Sequence, residues 1–546
     1  MAQITPIATL SLLLLPLTAL ADAPSGPSWR VLFNNDTTNI LSCQSPYHHG
    51  STATIYKDAP GEKFTDDMVR ASVDEAAVQG MDAMALMTGL GRVPWWPSKI
   101  DPMAEHEAWF QAHYGVKPHF VIDDYLLAGG DYIKVFVDEC HRKGISALIA
   151  FRLNDAHGLV HADGGAEPRD AQCVSRFYVE HPGFRLEPKP VSYGMGVHNW
   201  LIPEARAYKL SFIAELAEIY DIDGIELDFL RHSKFFPAGT PMAERVAVMA
   251  KFVGQVRAIL DRTERGGRRR WLGARVGQES SGWMDTGFDP AAYRAAGVDY
   301  FNLSNYFNMS QQTSLPEVRR AVPDAAIYLE ETQSGGTRAF RRSTAEMLES
   351  TARLAYRRGA DGISLFNFVY YRHDPAMDGL GPFDEPPFAV LPTLANLPAL
   401  EKAPGYYFLN PMDRAIQPGA EAAFSLDMAP RPGDGEAWLR LQIVTQEEIR
   451  ADNDRKGVKF VANAPRGRWR VLLNGLELAP AGNAVGAYPY PTTIKAGFGS
   501  AGQYLSWRVP AGAAVDGGNR VKVALLGGPE DLRLRWIEVF SPPPRD

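Results

Sequence analysis

Cysteine and histidine are scarce in this chain. It has 3 cysteines and 12 histidines in 546 residues, too few cysteines for a fold held together by disulfides. Cys43, Cys140 and Cys173 leave room for one pair at most. His48 and His49 are adjacent rather than spaced along a strand, and no other histidines show metal-ligand spacing. We therefore expect neither a metal nor a cofactor.

Positive charge is not in excess either. Lys and Arg number 56 against 64 Asp and Glu, which gives a formal net charge of −8. A chain of this charge has no general attraction for nucleic acid. The short basic run at Arg265–Arg270 is interpreted as part of a loop that precedes a strand.

Long hydrophobic runs are absent from the chain after its N-terminal segment. No later stretch reaches the roughly 18 uninterrupted apolar residues that are needed to cross a bilayer. Leu10–Leu20 is apolar over the length of a signal-peptide core, and two small-x-small triplets follow at Ala19–Ala21 and Ala21–Ala23. This pattern predicts a secretory signal peptide over residues 1–23. The mature protein is therefore expected to be secreted or periplasmic and to have no membrane span.

Between about residues 30 and 400, short apolar runs alternate with amphipathic segments such as Asp66–Val78. The predicted strands are Arg30–Asp36, Gly80–Thr88, Gly144–Asn154, Ile222–Phe229, Trp271–Gly277, Val298–Tyr306, Ala326–Glu330 and Gly362–Val369. Such alternation predicts an α/β fold with a parallel sheet. Eight strands without a Gly-rich phosphate loop favour a closed (β/α)8 TIM barrel, assigned to residues 24–404, over a doubly wound open sheet.

Residues 405–546 have a different pattern. Short alternating runs such as Trp469–Leu473 and Leu532–Val539 are separated by Gly, Pro and Asn turns. This pattern predicts a β-sandwich of jelly-roll type. The closing strands resemble the ancillary modules that accompany many glycoside hydrolases, and this resemblance implies a domain that either binds glycan or acts as a structural appendage.

Side chains alternate along a strand, and in a barrel the outward ones must be apolar to meet the helices. In the fourth predicted strand Ile225, Leu227 and Phe229 satisfy this rule, so Glu226 and Asp228 point into the barrel. The same rule places inside the barrel Asn34, Asp36, Arg152, Asn154, Arg275, Asn302, Ser304, Tyr306, Tyr328 and Glu330, with Glu279 just beyond the fifth strand. These polar residues concentrate at the C-terminal strand ends, where barrel enzymes have their active sites.

Paired carboxylates at such a position are the groups that cleave glycosidic bonds, one as acid and the other as nucleophile or base. The candidate catalytic residues are Asp228, Glu279, Glu226 and Glu330. The candidate substrate-binding residues are Asp36, Arg152, Asn154, Asp155, His157, Arg231, His232, Arg275, Trp283, Asn302 and Tyr306. Candidates for stacking on sugar rings are Trp95, Trp96, Trp200, Trp283 and Tyr306, although each alone is more often a packing residue.

Three stretches carry a resemblance to a known family: FRLNDAH at 151–157, PEAR at 203–206 and DGIELDFLR at 223–231. Through them, residues 30–400 resemble the family-10-like glycosyl hydrolase barrels. The resemblance implies a TIM barrel and glycoside hydrolysis, with the substrate left undefined.

A second likeness, to the α-amylase and α-galactosidase barrels, implies catalytic roles. It makes Asp228 the nucleophile and Glu279 the acid/base, and this arrangement ranks first. Glu226 stands where amylases carry arginine. Leu230 replaces the final glutamate of the chitinase strand, which argues against the chitinase mechanism. The remaining arrangement pairs Glu226 or Asp228 with Glu330.

The expected partner is a poly- or oligosaccharide. Cations such as Arg152 and Arg231 beside the carboxylates indicate either an anionic, uronic or sulfated, sugar or arginines that only keep the carboxylates ionised. Two other functions remain open. A glycan-binding barrel without catalysis would bind sugar but not turn it over, and a polysaccharide lyase would leave an unsaturated product.

Overall fold

The computed structural model describes residues 26–42, 45, 47–48, 63–78, 80–89, 92–118, 120–162, 168–187, 196–306, 309–332, 343–371, 388–409, 414–431, 434–448, 465–481 and 504–542. The predicted signal peptide, residues 1–23, and Cys43 lie outside these ranges. Within them Cys140 and Cys173 are both buried. No helix in the described ranges is both long and apolar enough to cross a membrane.

The first described part of the chain is a closed parallel barrel, in which β1 pairs with both β2 and β8. Its strands are β1 Val31–Asn35, β2 Ala83–Met87, β3 Ser146–Arg152, β4 Gly224–Asp228, β5 Trp271–Gly277, β6 Tyr300–Ser304, β7 Ala326–Thr332 and β8 Gly362–Phe366. Each strand coincides with one of the predicted runs. The prediction of a (β/α)8 barrel is confirmed.

Helices surround this barrel. Those of the described residues are α1 Thr37–Ser42, α2 Asp66–Val78, α3 Met103–Tyr114, α4 Val121–Leu127, α5 Tyr132–Lys143, α6 Arg176–Glu180, α7 Pro203–Ile219, α8 Met242–Arg262, α9 Trp283–Thr286, α10 Pro290–Ala295, α11 Leu315–Ala321, α12 Ala345–Arg358, α13 Leu391–Leu394 and α14 Leu397–Leu400. α5 and α12 end at Gly144 and Gly359, whose φ values are 74° and 105°. Glycine adopts this left-handed conformation without the penalty of a Cβ, which is why it ends both helices.

The barrel interior changes in character from bottom to top. Its lower part is filled by aromatic and small apolar side chains, including Trp29, Tyr300 and Tyr328. The outward residues of β4, such as Ile225 and Leu227, pack against the helices. The inward residues become polar toward the C-terminal strand ends, as the alternation predicts.

The second part of the described chain consists of two antiparallel sheets that enclose their own core. Their strands are β9 Gly405–Leu409, β10 Arg414–Ala415, β11 Glu421–Met428, β12 Ala437–Thr445, β13 Arg468–Leu473, β14 Leu476–Glu477, β15 Ala479–Pro480, β16 Tyr504–Val509, β17 Gly517–Gly527 and β18 Leu532–Ser541. One sheet has the order β10-β18-β12-β16-β15 with β9 against β18, and the other β11-β17-β13-β14. The predicted β-sandwich is confirmed. The predicted boundary at residue 404 falls between α14 and β9.

Candidate active site

Three carboxylates surround Arg275 in the upper interior of the barrel. Arg275 donates from Nε and Nη2 to the two oxygens of Glu330, both at 2.6 Å. Its Nη1 donates to Oδ2 of Asp228 at 3.2 Å. Burial disfavours the charged guanidinium, but Glu330 and Asp228 outweigh it and raise the pKa of Arg275 above its ordinary value. The arginine therefore stays charged and ties β5 to the carboxylates of β4 and β7.

Asp228 and Glu330 differ in how many of their acceptor sites are filled. Glu330 also accepts from Oγ of Ser304 and from Nδ2 of Asn302, the latter at 3.3 Å. Asp228 accepts one further bond, from the backbone N–H of Leu230 at 2.8 Å. A carboxylate has about four lone-pair sites. Glu330 is therefore saturated, whereas Asp228 keeps acceptor capacity.

Glu226 lies two residues before Asp228 on β4 and so sits deeper in the barrel. It accepts from Nδ2 of Asn34 and, at 3.2 Å, from Nδ2 of Asn302. Burial raises the pKa of Glu226 to about 7; Arg275 opposes this shift, and the other two carboxylates add to it. Glu226 thus retains its proton close to neutral pH.

A second charged network lies at the rim, where β1 and β3 end. Arg152 donates to Asp36 at 2.6 Å and to Asp155 at 3.1 Å. Oδ1 of Asp155 also accepts from the backbone N–H of His157 at 2.8 Å. Burial opposes ionisation of both acids, but Arg152 lowers the pKa of Asp36 and His157 lowers that of Asp155 well below the ordinary range. The rim therefore carries fixed charges.

Tyr306 covers the carboxylate cluster from above. Its ring centroid lies 5.3 Å from Cζ of Arg275, and its hydroxyl accepts from Nη1 of Arg231 at 2.5 Å. Tyr306 and His232 follow β6 and β4 with φ values of 57° and 60°. Left-handed backbone at non-glycine residues costs on the order of 1–3 kcal/mol each and clusters at functional sites.

The rim histidines are not arranged as metal ligands. Nδ1 of His232 accepts from the backbone N–H of Ala156 at 2.9 Å, and burial lowers the pKa of His232 to about 3. Nδ1 of His157 contacts Asp155. In the ranges that the structure describes, no three His, Cys, Asp or Glu side chains are grouped to hold a metal ion.

Some of the predicted site residues lie apart from the cluster. Glu279 is exposed at the start of a short turn after β5, and no described residue forms a hydrogen bond or ion pair with its carboxylate. Asn154 is fully buried and donates to the carbonyl of Lys234 at 2.6 Å. Its amide therefore holds the loop after β4 instead of facing a cleft.

The tryptophans considered for stacking belong to the core. Trp95, Trp96, Trp200 and Trp283 are at most 8% exposed and pack between barrel and helices. Two of the indole N–H groups have internal partners: Trp96 donates to Glu215 at 2.9 Å and Trp283 to the carbonyl of Gly277 at 2.8 Å. Of the five aromatic candidates, Tyr306 alone is partly exposed.

Four polar residues near the site were not assigned a role from the sequence. Asn34 and Ser304 hold Glu226 and Glu330, and their inward positions were already indicated by the strand alternation. Arg92 follows β2 and Lys209 lies on α7. The fold alone brings these two to the rim, and no spacing in the sequence marks them.

Comparison with known protein sequences gives a partial match. No protein-family model matches the chain. The chain is 31% identical over 132 residues to the 1,4-alpha-glucan branching enzyme GlgB 2 of Xanthomonas euvesicatoria pv. vesicatoria (strain 85-10), covering 23% of this chain and 16% of that enzyme. The enzyme of the same name from Xanthomonas oryzae pv. oryzae is 30% identical over the same length. The chain thus spans only 16% of the length of the curated relatives it matches.

Solved structures show a distant likeness. An endo-beta-1,4-mannanase from Thermotoga petrophila aligns with a TM-score of 0.43 and 11% identity, covering 94% of this chain and 98% of that one. An alpha-amylase from Geobacillus thermoleovorans, complexed with acarbose, aligns with a TM-score of 0.37 and 15% identity, covering 91% and 98%. At these scores the backbones agree only loosely.

Proposed function

We propose that this chain is a glycoside hydrolase that cleaves a poly- or oligosaccharide with carboxylates at the C-terminal end of its barrel. The observation that carries the proposal is Asp228, which is buried at the last position of β4, held by Arg275 and left with acceptor capacity. A barrel kept only for stability would fill this layer with branched apolar side chains. Buried charges are costly to maintain, so their presence at this face favours chemistry.

In this proposal Asp228 either attacks the anomeric carbon or activates the water that does so. Arg275 orients it. Glu279 is the proposed acid, because its exposed position after β5 lets it approach a leaving oxygen from the solvent side. Glu330 and Glu226 are positioning residues, the first saturated by donors and the second located below Asp228.

Two further observations support a carbohydrate substrate. The partly matching sequence relatives are named as glucan branching enzymes. The segments at 151–157, 203–206 and 223–231 resemble the family-10-like glycosyl hydrolases. With the predicted signal peptide at residues 1–23, we place the mature enzyme outside the cytoplasm, secreted or periplasmic.

A second candidate function is glycan binding without turnover. The specific observation in its favour is burial, since Glu226 and Asp228 have no exposed surface and Glu330 is 3% exposed. A barrel that only binds sugar would use the partly exposed rim, around Tyr306 and Arg231, and leave the buried cluster as a structural network.

The first experiment is a product analysis. Purified mature protein is incubated with a panel of neutral, uronic and sulfated glycans, and new reducing ends, ultraviolet-absorbing unsaturated ends and binding are measured in parallel. Hydrolysis predicts saturated reducing ends on at least one glycan. Unsaturated ends would instead identify a lyase. Binding without any new ends would contradict hydrolysis and support the glycan-binding barrel.

A further inference from the structure

A small cavity between the ends of two barrel strands and α7 is lined by three cationic side chains. It lies where β2 and β3 end and has a volume of about 30 Å³ for water-sized occupants, with Arg92, Arg152 and Lys209 in its lining together with Phe151 and Phe212. A single water needs about 10–15 Å³ on this measure. The cavity therefore accepts a group of a few atoms, not a whole sugar ring.

Lys209 is the least satisfied of these cations. It is 3% exposed, and no described residue gives its ammonium group a hydrogen bond or an ion pair. The nearest favourable contact is the ring of Phe151, whose centroid lies 5.6 Å from Nζ. A buried ammonium without a partner is costly. Burial first, and then Arg92, lowers the pKa of Lys209 to about 7.

The two arginines also keep unused donors. Arg92 donates to Nδ1 of His198 at 3.0 Å and lies 3.5 Å from Oδ1 of Asn154. Arg152 uses its two terminal nitrogens on Asp36 and Asp155. The buried Nε–H groups of both arginines have no hydrogen-bond partner among the described residues.

The nearby acidic groups do not neutralise this cluster. Asp155 and Asp36 are bound to Arg152, and Asp155 also accepts from His157. His198 stays neutral, because burial and the adjacent Arg92 lower its pKa well below the ordinary range. Asp155 also attracts Arg92 and Lys209, but no described carboxylate forms an ion pair with either of them.

We propose that this cavity is an anion subsite that takes the carboxylate of a uronosyl residue in the glycan substrate. The inference rests on the proposed glycoside hydrolysis and narrows its substrate to acidic polysaccharides. A carboxylate has the size of the cavity, and arginine and lysine donors form their shortest hydrogen bonds with such groups. Arg152, which lines the cavity, is the register partner of Asp228 on the neighbouring strand, and this adjacency connects the cavity to the proposed catalytic carboxylate.

The test measures ligand-induced stabilisation, which does not depend on turnover. Melting temperatures of the full chain are recorded at constant ionic strength with D-glucuronate, D-galacturonate, D-glucose, D-galactose and sodium formate. The variants are Lys209→Met and Lys209→Gln, either of which removes a buried charge and is expected to fold. Lys251→Met, at an exposed position on α8, is the matched control.

We expect at least one uronate to raise the melting temperature of the wild type, with no effect from its neutral counterpart. Formate, the free carboxylate, is expected to bind at least tenfold more weakly than that uronate. Both Lys209 variants should weaken uronate binding at least tenfold, and Lys251→Met should leave it unchanged.

Three results would overturn the inference. These are equal effects of uronates and neutral sugars, binding of formate alone or as tightly as the uronates, and uronate binding unaffected by the Lys209 variants. The proposed function is judged separately by reducing ends. Hydrolysis of neutral glycans without uronate binding would overturn the proposed subsite and leave the proposed hydrolase activity intact. Uronate binding without hydrolysis of any glycan would support the subsite and overturn the proposed hydrolase activity.

Discussion

At the scale of single residues, Arg275 determines the geometry of the candidate site. Its guanidinium bridges Glu330 and Asp228 and lies between two rings, with Cζ 4.1 Å from the centroid of Phe366 and 5.3 Å from that of Tyr306. A planar donor fork fixed in this way holds both carboxylates in one orientation. Lysine could not reproduce the arrangement.

Replacing Arg275 tests how strongly the cluster depends on it. Arg275→Met keeps most of the side-chain volume but leaves Asp228 and Glu330 as uncompensated buried charges, so it should lower the free energy of unfolding by about 3–5 kcal/mol. Urea unfolding is the measurement. Arg70→Met removes the ion pair between Asp66 and Arg70 on α2, whose arginine side chain is 45% exposed. It should lower the free energy of unfolding by no more than about 1 kcal/mol. Equal losses in the two variants would contradict the account.

Glu226 makes stability depend on pH in a defined direction. Its pKa is raised from 4.5 to about 7 in the folded protein, so between these values the folded state binds more protons than the unfolded state. Stability from this group is therefore complete below 4.5 and is lost as pH rises to about 7.

Glu226→Gln mimics the protonated form and should remove this loss. Relative to the wild type, it should gain stability across that interval and reach a plateau on the order of 3 kcal/mol above it. The measurement is the difference in unfolding free energy between variant and wild type at each pH. Glu204→Gln, at an exposed position on α7, is the control. A difference for Glu226→Gln that does not change with pH would rule out this role.

At the scale of elements, four aspartates fix the strand register at the bottom of the barrel. Asp82, Asp223, Asp299 and Asp361 each precede an even-numbered strand and accept, at 2.8–2.9 Å, from a backbone N–H at the start of the preceding odd-numbered strand. This face lies opposite the candidate site. In such barrels the N-terminal face usually contributes stability and the C-terminal face the chemistry.

Asp299 should matter most among them. It is fully buried and also pairs with Arg257 at 3.1 Å and Arg269 at 2.7 Å. Asp299→Ala leaves Arg257 buried without this partner, so we expect a loss of about 3–5 kcal/mol in unfolding free energy. Asp82→Ala, at an exposed position, should cost only about 1 kcal/mol. A smaller loss for Asp299→Ala than for Asp82→Ala would refute this ranking.

The sequence allows the barrel to be predicted at this scale because strand alternation and helix-ending glycines are local signals. Gly144 and Gly359 adopt the left-handed conformation that their positions after helices indicate. Whether an aromatic side chain in a loop is buried cannot be predicted from the local sequence. Trp283 follows β5, at a position where an aromatic residue can stack on a sugar ring, but tertiary packing buries it in the core.

The candidate site was predictable to the same extent. Side chains alternate between the inside and the outside of the barrel along β4, β5 and β7. This local alternation is enough to predict that Glu226, Asp228, Arg275 and Glu330 meet inside the barrel. Lys209 lies on α7 and reaches the rim only because that helix packs against the barrel. No sequence pattern therefore predicts its position at the site.

At the scale of the whole molecule, a buried glutamine joins barrel and sandwich. Gln311 donates to Oγ1 of Thr351 at 3.0 Å and to the carbonyl of Tyr406 at 2.9 Å, and it accepts from the backbone N–H of Phe408 at 2.9 Å. The first strand of the sandwich, β9, is thereby held against α12 of the barrel.

Gln311→Ala should weaken this joint. It leaves two buried backbone groups of β9 without their partner, at a cost of about 1–3 kcal/mol each. In calorimetry we expect the sandwich to unfold at a lower temperature, away from the barrel transition. Gln111→Ala, at an exposed position on α3, makes the same substitution away from the joint and serves as control. Unchanged thermal unfolding of Gln311→Ala would show that other contacts suffice.

The most direct test of the central claim is the hydrolysis rate of Asp228→Asn. On whichever glycan the wild type cleaves, this variant should release new reducing ends at least about a thousandfold more slowly, while its melting temperature and glycan binding stay close to those of the wild type. Asp138→Asn, at a 64% exposed side chain on α5, should keep full activity. Undiminished hydrolysis by a folded Asp228→Asn protein would contradict the assignment of Asp228 as the carboxylate that performs the reaction.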